Sequence, residues 1–282
     1  MILVIGATGT VGSEVVRQLA DKGVATRSFV RDAAKARRLL GENAEFVAGD
    51  LDDPASVAAA LHGVRRVFLV SAVHPLQDAR ERAVVEAARQ SDVEHLVRVS
   101  TGGARPDSPA PVCRWHWEAD EALAKSGIPY TVLKPSAFMQ NLFQMVDDGA
   151  IASATGQGTD AMVDARDIAA LAVEVLTGDA HFGRTYTVTG PRDLTHPEVA
   201  SLISAAAGTE IRHVPLTTEQ LRDGLTAAGL PQWYVADLVA LQLECASGLG
   251  VTVHHDFTEV TGRPPRSIED FLSEYAGQFR GA

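Results

Sequence analysis

The 282 residues are 46% hydrophobic and 22% charged, enough apolar material for one large core or for a core with a smaller lobe. A net charge of −11 repels nucleic acid and anionic membrane, so any phosphate must be held at a local site and neither is expected as a partner. Cys113 and Cys245 are too far apart to suggest a disulfide framework or a zinc motif, no run of eighteen apolar residues is present, and the chain reads as soluble, unprocessed and cytoplasmic.

The first twelve residues organise the rest of the chain. The apolar run Ile2-Leu3-Val4-Ile5 breaks at Gly6, glycines recur at Gly9 and Gly12, and Val11, Val15, Val16 and Leu19 then repeat with helical spacing. This is a buried strand, a tight turn and a helix, the arrangement that receives a pyrophosphate. Gly6 permits the turn, Gly9 removes a Cβ where phosphate would touch the backbone, and Gly12 lets helix and strand pack closely. Thr8, Thr10 and Val11 are expected to offer backbone N–H groups to phosphate oxygens at the positive end of the helix.

Gly23 is placed as the end of that helix, and a second strand over Ala25 to Val30 leads into Arg31-Asp32. An acidic residue here would bind a ribose 2′-hydroxyl, whereas arginine accommodates a 2′-phosphate. Arg31 and Lys35, with Arg27, Arg37 and Arg38 nearby, favour NADP(H) over NAD(H), while Asp32 is read as the cap of the next helix. A third strand over Ala44 to Ala48 runs into Gly49-Asp50-Leu51, with Asp50 expected near the adenine edge. Asp52 or Asp53 then caps a helix opened by Pro54.

Helix Pro54 to Leu61, strand Arg66 to Ser71, helix Leu76 to Ser91 and strand His95 to Ser100 continue the alternation. The expected fold class is α/β: a doubly wound parallel sheet of the Rossmann type, with a smaller, mainly helical C-terminal lobe for substrate. Ligands in such sheets bind beyond the carboxyl ends of the strands, where Gly6 to Val11, Arg31, Asp50, Ser71-Ala72 and Ser100-Thr101 converge. Ser100 and Thr101 are candidates either to bond a substrate carbonyl or to cap their loop. On the helix after the proline-rich loop, Val112, His116, Ala119 and Leu123 share a stripe, so His116 faces inward as a core residue or as a catalytic group. Trp115 and Trp117 lie on nearly opposite faces, which makes the outer one a candidate wall for a flat substrate or an interface contact.

At the sixth strand, Ile128 to Pro135, the chain resembles the NmrA-like branch of the atypical short-chain dehydrogenases/reductases. The motifs that carry the likeness are Gly6-Ala7-Thr8-Gly9-Thr10-Val11-Gly12, Val30-Arg31-Asp32, Gly49-Asp50-Leu51 and Ser126 to Pro135, followed by Phe138-Met139-Gln140-Asn141, Asp164 to Ala169 and Thr261 to Pro265. The resemblance implies a dinucleotide site that also takes in Leu51, Lys134 and Pro135. It implies reduction of a quinone or ketone, or else redox sensing through a protein partner. Counted back from Ser126-Gly127, the superfamily's Tyr-x-x-x-Lys dyad would fall on Cys113 and Trp117, and neither can perform that proton transfer. His116 matches a histidine often found in this branch, so His116, Ser100 and Thr101 are the candidate catalytic residues.

The expected division is residues 1–150 as the dinucleotide-binding domain, completed by about 160–190, with 191–282 as the substrate lobe. Phe138, Met139, Trp117 and Trp233 are the candidate substrate contacts, no metal is expected, and the chain is expected to be a monomer or homodimer. The function that the residues and the resemblance together imply is an NADPH-dependent reductase of a quinone or an aromatic, polyketide-like ketone; the alternative is a non-catalytic NADP(H) sensor acting through a protein partner.

Overall fold

The computed structural model describes residues 1–41 and 45–281. In chain order the elements are β1 (Ile2–Ile5), α1 (Thr10–Asp21), β2 (Thr26–Val30), α2 (Ala33–Leu40), β3 (Glu45–Ala48), α3 (Pro54–Ala60), β4 (Arg66–Leu69) and α4 (Gln77–Arg89). They continue as β5 (His95–Val99), α5 (Pro111–Ala124), β6 (Tyr130–Pro135), α6 (Leu142–Met145), β7 (Val146–Asp147), β8 (Ala150–Ser153) and β9 (Thr159–Asp160). After α7 (Ala165–Thr177) and β10 (Arg184–Val188) come β11 (Leu194–Thr195), α8 (His196–Ala207), β12 (Arg212–Pro215), α9 (Thr218–Ala227), α10 (Gln232–Glu244), α11 (Asp256–Thr261) and α12 (Ile268–Tyr275). Each expected strand and helix of the first six repeats forms, with ends trimmed by one or two residues; Ala44, expected to open β3, lies outside the described residues.

Seven strands form one sheet in the order β3-β2-β1-β4-β5-β6-β10. The β1–β2, β2–β3, β1–β4, β4–β5 and β5–β6 pairs are parallel. The order reverses beside β1, and this topological switch point opens a crevice at the carboxyl ends of β1 and β4. Leu3, Ile5, Leu69, Leu96 and Val132 from the strands pack with Val57, Leu61, Val84, Val85, Ala88 and Leu123 from α3, α4 and α5. On α1, the Gln18 amide donates to the Arg166 carbonyl at 3.1 Å, and Lys22 pairs with Glu174 at 2.6 Å, so α7 lies against α1.

The chain divides into two compact units, residues 1–106, 114–134 and 165–186, and residues 107–113, 135–164 and 187–282. This differs from a boundary near residue 150, because the chain leaves the first unit directly after β6 and returns for α7. The second unit has its own core, with Met139, Leu142, Ile151, Met162, Ile203, Phe271 and Phe279 buried together. It also contains a strand missed in the sequence: β12 pairs in parallel with β8, and at four residues it is too short to show periodicity. Helices α8 and α9 open with the reciprocal Thr195/Glu198 and Thr217/Gln220 capping boxes. The start of α5 belongs to this unit, and buried Asp237 of α10 accepts the Val112 N–H at 2.8 Å.

At the amino ends of β5 and β6, His95 is fully buried, and its Nε2 stands 2.9 Å from the Thr131 hydroxyl. That hydroxyl donates its proton to the His181 carbonyl at 2.7 Å, so it accepts from His95 Nε2–H, leaving Nδ1 buried without a partner. Burial, reinforced by the Arg66 charge, lowers the His95 pKa to about 4; burial does the same at His196. In the unfolded chain these imidazoles titrate near 6.5, so below that pH the unfolded state takes up protons that the folded state refuses. Stability is therefore full above about pH 6.5 and falls as pH drops toward 4. We expect His95→Phe to make the decline in urea-unfolding free energy between pH 7 and pH 4.5 shallower by on the order of 1–3 kcal/mol; a parent-like slope would assign the pH dependence elsewhere.

Candidate dinucleotide and hydride-transfer site

The glycine turn is built as its spacing requires. Gly6 has φ +82°, and a Cβ there would lie 2.1 Å from the Val70 carbonyl oxygen; a Cβ on Gly12 would lie 2.1 Å from the Gly6 carbonyl oxygen. Any side chain at either position would break the strand–turn–helix packing. Gly9 is different: a Cβ would meet only the Gly6 oxygen, at 3.3 Å, so the fold itself demands little there. A ligand approaching the backbone would give glycine a reason here that the fold alone does not. Gly9 is also the N-cap of α1, and no side chain caps the helix. Thr8, Thr10 and the N–H groups of the first turn thus form an exposed, positively polarised cradle suited to pyrophosphate, one that a Cβ at Gly9 would invade.

At the end of β2 the basic cluster is smaller than the sequence suggests. Arg27 turns away, bonding Glu45 at 2.5 Å and the Ala60 and His62 carbonyls, and the Arg37 guanidinium lies 5.6 Å from the centre of the Phe46 ring. Arg31, Lys35 and Arg38 remain exposed, and among the described residues Arg31 makes no ion pair. Asp32 caps α2, accepting the Lys35 N–H at 2.9 Å, and this backbone hydrogen bond lowers its pKa. Its carboxylate is occupied by the helix, and the cations are left to meet an anion. Asp50 accepts the Asp52 N–H at 3.0 Å, Asp53 caps α3, and Leu51 is half-buried beside them.

Beyond β4, β5 and β6 stands a polar network that the sequence did not disclose, centred on Arg98, which is fully buried. Alternation along β5 puts Arg98 on the same face as buried Leu96, toward α4 and α5. Its Nε donates to Glu81 of α4 at 2.5 Å, Nη1 donates to Asp120 of α5, and Nη2 lies 2.9 Å from His116 Nδ1. An arginine can only donate, so Nδ1 accepts and His116 carries its proton on Nε2. Burial, and then the Arg98 and Lys134 charges, push the His116 pKa well below 6.5. The imidazole is therefore neutral and 8% exposed, a member of the network whose charged form is suppressed.

Gln77 Nε2 lies 3.1 Å from His116 Nε2, and Gln77 Oε1 is buried without a partner. Turning the amide by 180° would give the His116 N–H an acceptor, but it would also give up the Gln77 Nε2 bond to Glu81 at 3.3 Å and set the amide oxygen against that carboxylate. The carboxylates pass the network to the strand ends. The Ser71 hydroxyl donates to Glu81, the Ser100 hydroxyl donates to Asp120 at 2.7 Å, and Lys134 Nζ stands 3.5 Å from the same Asp120 oxygen. Arg98 and Lys134 balance Glu81 and Asp120, so with neutral His116 the cluster carries no net charge.

Of the expected site residues, Ser71, Ser100, Lys134 and His116 are thus gathered into one network, while Ala72 and Thr101 lie beside it on the loops after β4 and β5, and Pro135 ends β6. Glu81, Arg98, Asp120 and Gln77 were missed. Their signal was present: polar residues at positions where the β5 run and the α4 and α5 stripes call for apolar ones. Trp117 is half-buried on α5, Phe138 is half-buried beyond β6, and Trp233 packs on Tyr234 with ring centres 5.2 Å apart. Met139 is corrected: at 1% exposure it belongs to the core of the second unit, where van der Waals packing accounts for it. Cys113, one of the two positions where the dyad would fall, is fully buried. Among the described residues no group of three or more His, Cys, Asp or Glu is placed to hold a metal ion, and no helix is long and apolar enough to cross a membrane.

Comparison with known proteins agrees with this geometry. The profile of a family described as NAD(P)H-binding matches residues 6–179. An NAD(P)H azoreductase of Xenophilus azovorans is 40% identical, covering 100% of both chains. A (4-alkanoyl-5-oxo-2,5-dihydrofuran-3-yl)methyl phosphate reductase of Streptomyces griseus is 36% identical over 99% of both. The crystal structure of an NADPH-dependent quinone oxidoreductase of Escherichia coli complexed with NADPH superposes with a TM-score of 0.88 at 25% identity, covering 98% of this chain and 99% of that one. The glycine cradle, the strand order and these full-length likenesses lead to one conclusion: the chain belongs to the NAD(P)H-binding, NmrA-like family of atypical short-chain dehydrogenases/reductases.

Proposed function

We propose that this chain uses NADPH to reduce a quinone, or an azo bond conjugated with aromatic rings, by direct hydride transfer and without a tyrosine–lysine dyad. The chain is an NAD(P)H-dependent oxidoreductase; its relatives include the azoreductase, which matches it from end to end. One observation carries the choice of acceptor: the serine protons at the ends of β4 and β5 are already committed. Ser71 gives its proton to Glu81, Ser100 gives its own to Asp120, and His116 is buried and neutral.

An isolated ketone becomes a strongly basic alkoxide on reduction and needs a placed acid, a contribution worth roughly a hundredfold or more in rate. A quinone or a conjugated azo group spreads the new charge over its own π-system and takes its proton from water. When bound, the reduced nicotinamide supplies the hydride. The chain's part is to bind and align: the turn from Gly6 to Gly12 receives the pyrophosphate, Arg31 and Lys35 meet the 2′-phosphate, and the ends of β4 to β6 fix the reacting half.

Two measurements test this. With NADPH and a panel of acceptors, nicotinamide absorbance should fall with quinones and conjugated azo compounds at rates on the order of a hundredfold above those with saturated aliphatic ketones. NADPH that binds while no acceptor drives its oxidation would sink the reductase reading in favour of a dinucleotide sensor. For the cofactor, Arg31→Ala should weaken NADPH binding about tenfold, the value of one charge-assisted contact, and leave NADH within twofold. Equal losses for both would show that Arg31 does not read the 2′-phosphate.

A further inference from the structure

The two hydroxyls at the strand ends have a polarity that decides what they can bind. A serine hydroxyl has one proton and two lone pairs. In Ser71 and in Ser100 that proton points inward, to a carboxylate that Arg98 holds from behind: Glu81 through Nε and Asp120 through Nη1. Reversing either serine would break a charge-assisted hydrogen bond and leave Glu81 Oε1, fully buried, with only the longer Gln77 contact at 3.3 Å, or Asp120 Oδ2 with only Lys134 Nζ at 3.5 Å. With Ser71 half-buried and Ser100 buried at 4% exposure, both hydroxyls have only lone pairs left to offer a ligand at the strand ends.

The strand order says which part of the dinucleotide they face. The glycine turn sits at the end of β1, with β2 and β3 on one side and β4, β5 and β6 on the other. Arg31 at the end of β2 places the adenosine half over the first side, so the nicotinamide half extends over the second, past Ser71 and then Ser100. That half is rich in donors: two ribose hydroxyls and a carboxamide NH₂.

We propose that Arg98 is a positioning residue that, through Glu81 and Asp120, fixes Ser71 and Ser100 as hydrogen-bond acceptors for the nicotinamide half of NADPH, Ser71 taking a ribose hydroxyl proton and Ser100 a carboxamide N–H. Ser100 therefore orients the nicotinamide ring and does not donate to the acceptor's carbonyl, which departs from the substrate-carbonyl role open to it from sequence alone. The inference rests on NADPH as cofactor and on the reductase reading above, but it concerns binding and can be tested without turnover.

The probe is the reduced 3-acetylpyridine analogue of NADPH, in which a methyl ketone replaces the carboxamide and no N–H remains. Dissociation constants are read from tryptophan fluorescence with the full chain and no acceptor present. Ser100→Ala should weaken NADPH about three- to tenfold, one neutral hydrogen bond, and leave the analogue unchanged, while Ser100→Thr, which keeps the hydroxyl, should restore NADPH binding. Asp120→Ala releases the hydroxyl to rotate and should lower the preference for NADPH over the analogue as Ser100→Ala does. Arg98→Met strands two buried carboxylates and can fail to fold, and if Asp120→Ala also fails, the serine variants decide. Equal weakening of both nucleotides by Ser100→Ala, or unchanged NADPH affinity with a raised KM for a quinone, would overturn the proposal. Normal carboxamide preference without turnover would sink the reductase reading alone; turnover without that preference would sink this inference alone.

Discussion

A guanidinium with no exposed surface, on an inner strand of a parallel sheet, constrains everything around it. Desolvating such a charge costs several kcal/mol unless partners of opposite sign and good geometry surround it. Arg98 has them in Glu81, Asp120 and the Nδ1 lone pair of His116, supplied by α4 and α5. Apolar packing tolerates small slips of a helix along a sheet, but a planar fork with three directed contacts does not. The register of both helices on β5 is therefore set by polar geometry on top of the hydrophobic cluster beneath it. The hydroxyls at the ends of β4 and β5 inherit their orientation from it.

Much of this molecule could be read from local pattern, because the physics behind it is local. The turn from Gly6 to Gly12 needs a positive φ at Gly6 and a close approach of Gly12 to Gly6, and those demands are written into the same seven residues, although Gly6 also meets Val70 across the sheet. Alternating strands and helices follow from hydrophobic period, and the caps Asp32 and Asp53 from the chemistry of one side chain and one N–H group. What escaped is what depends on distance in sequence. Glu81, Arg98 and Asp120 span three elements and meet only once the sheet is formed. Arg27 looks like a phosphate ligand on the linear chain until β3 brings Glu45 beside it. Met139 looks like a cleft residue beside Phe138, yet the fold buries it.

His116 illustrates the limit of motif reasoning. Its helical stripe places it correctly at the edge of the core, with Val112, Ala119 and Leu123 all buried along the same line. Chemistry cannot be inferred from the stripe, because protonation state is set by what faces the ring. Here burial disfavours the cation, and the buried arginine that faces the ring adds to that effect and fixes the tautomer. The same residue opposite a carboxylate would be a proton carrier.

The helix that carries His116 and Asp120 begins on a borrowed cap. Its Val112 N–H is satisfied by Asp237, a residue more than a hundred positions later on α10, and the Ser108 hydroxyl just before it is held by Glu244 of the same helix. The first turn of α5 therefore gains this cap only once α10 has been made. During synthesis the nucleotide-binding half emerges with one of its helices uncapped. Grafting a foreign C-terminal segment onto residues 1–190 would uncap α5 unless an equivalent acid stood where Asp237 does. For evolution or engineering that exchanges the C-terminal segment, Asp237 and Glu244 travel with the dinucleotide site, although neither belongs to it by sequence.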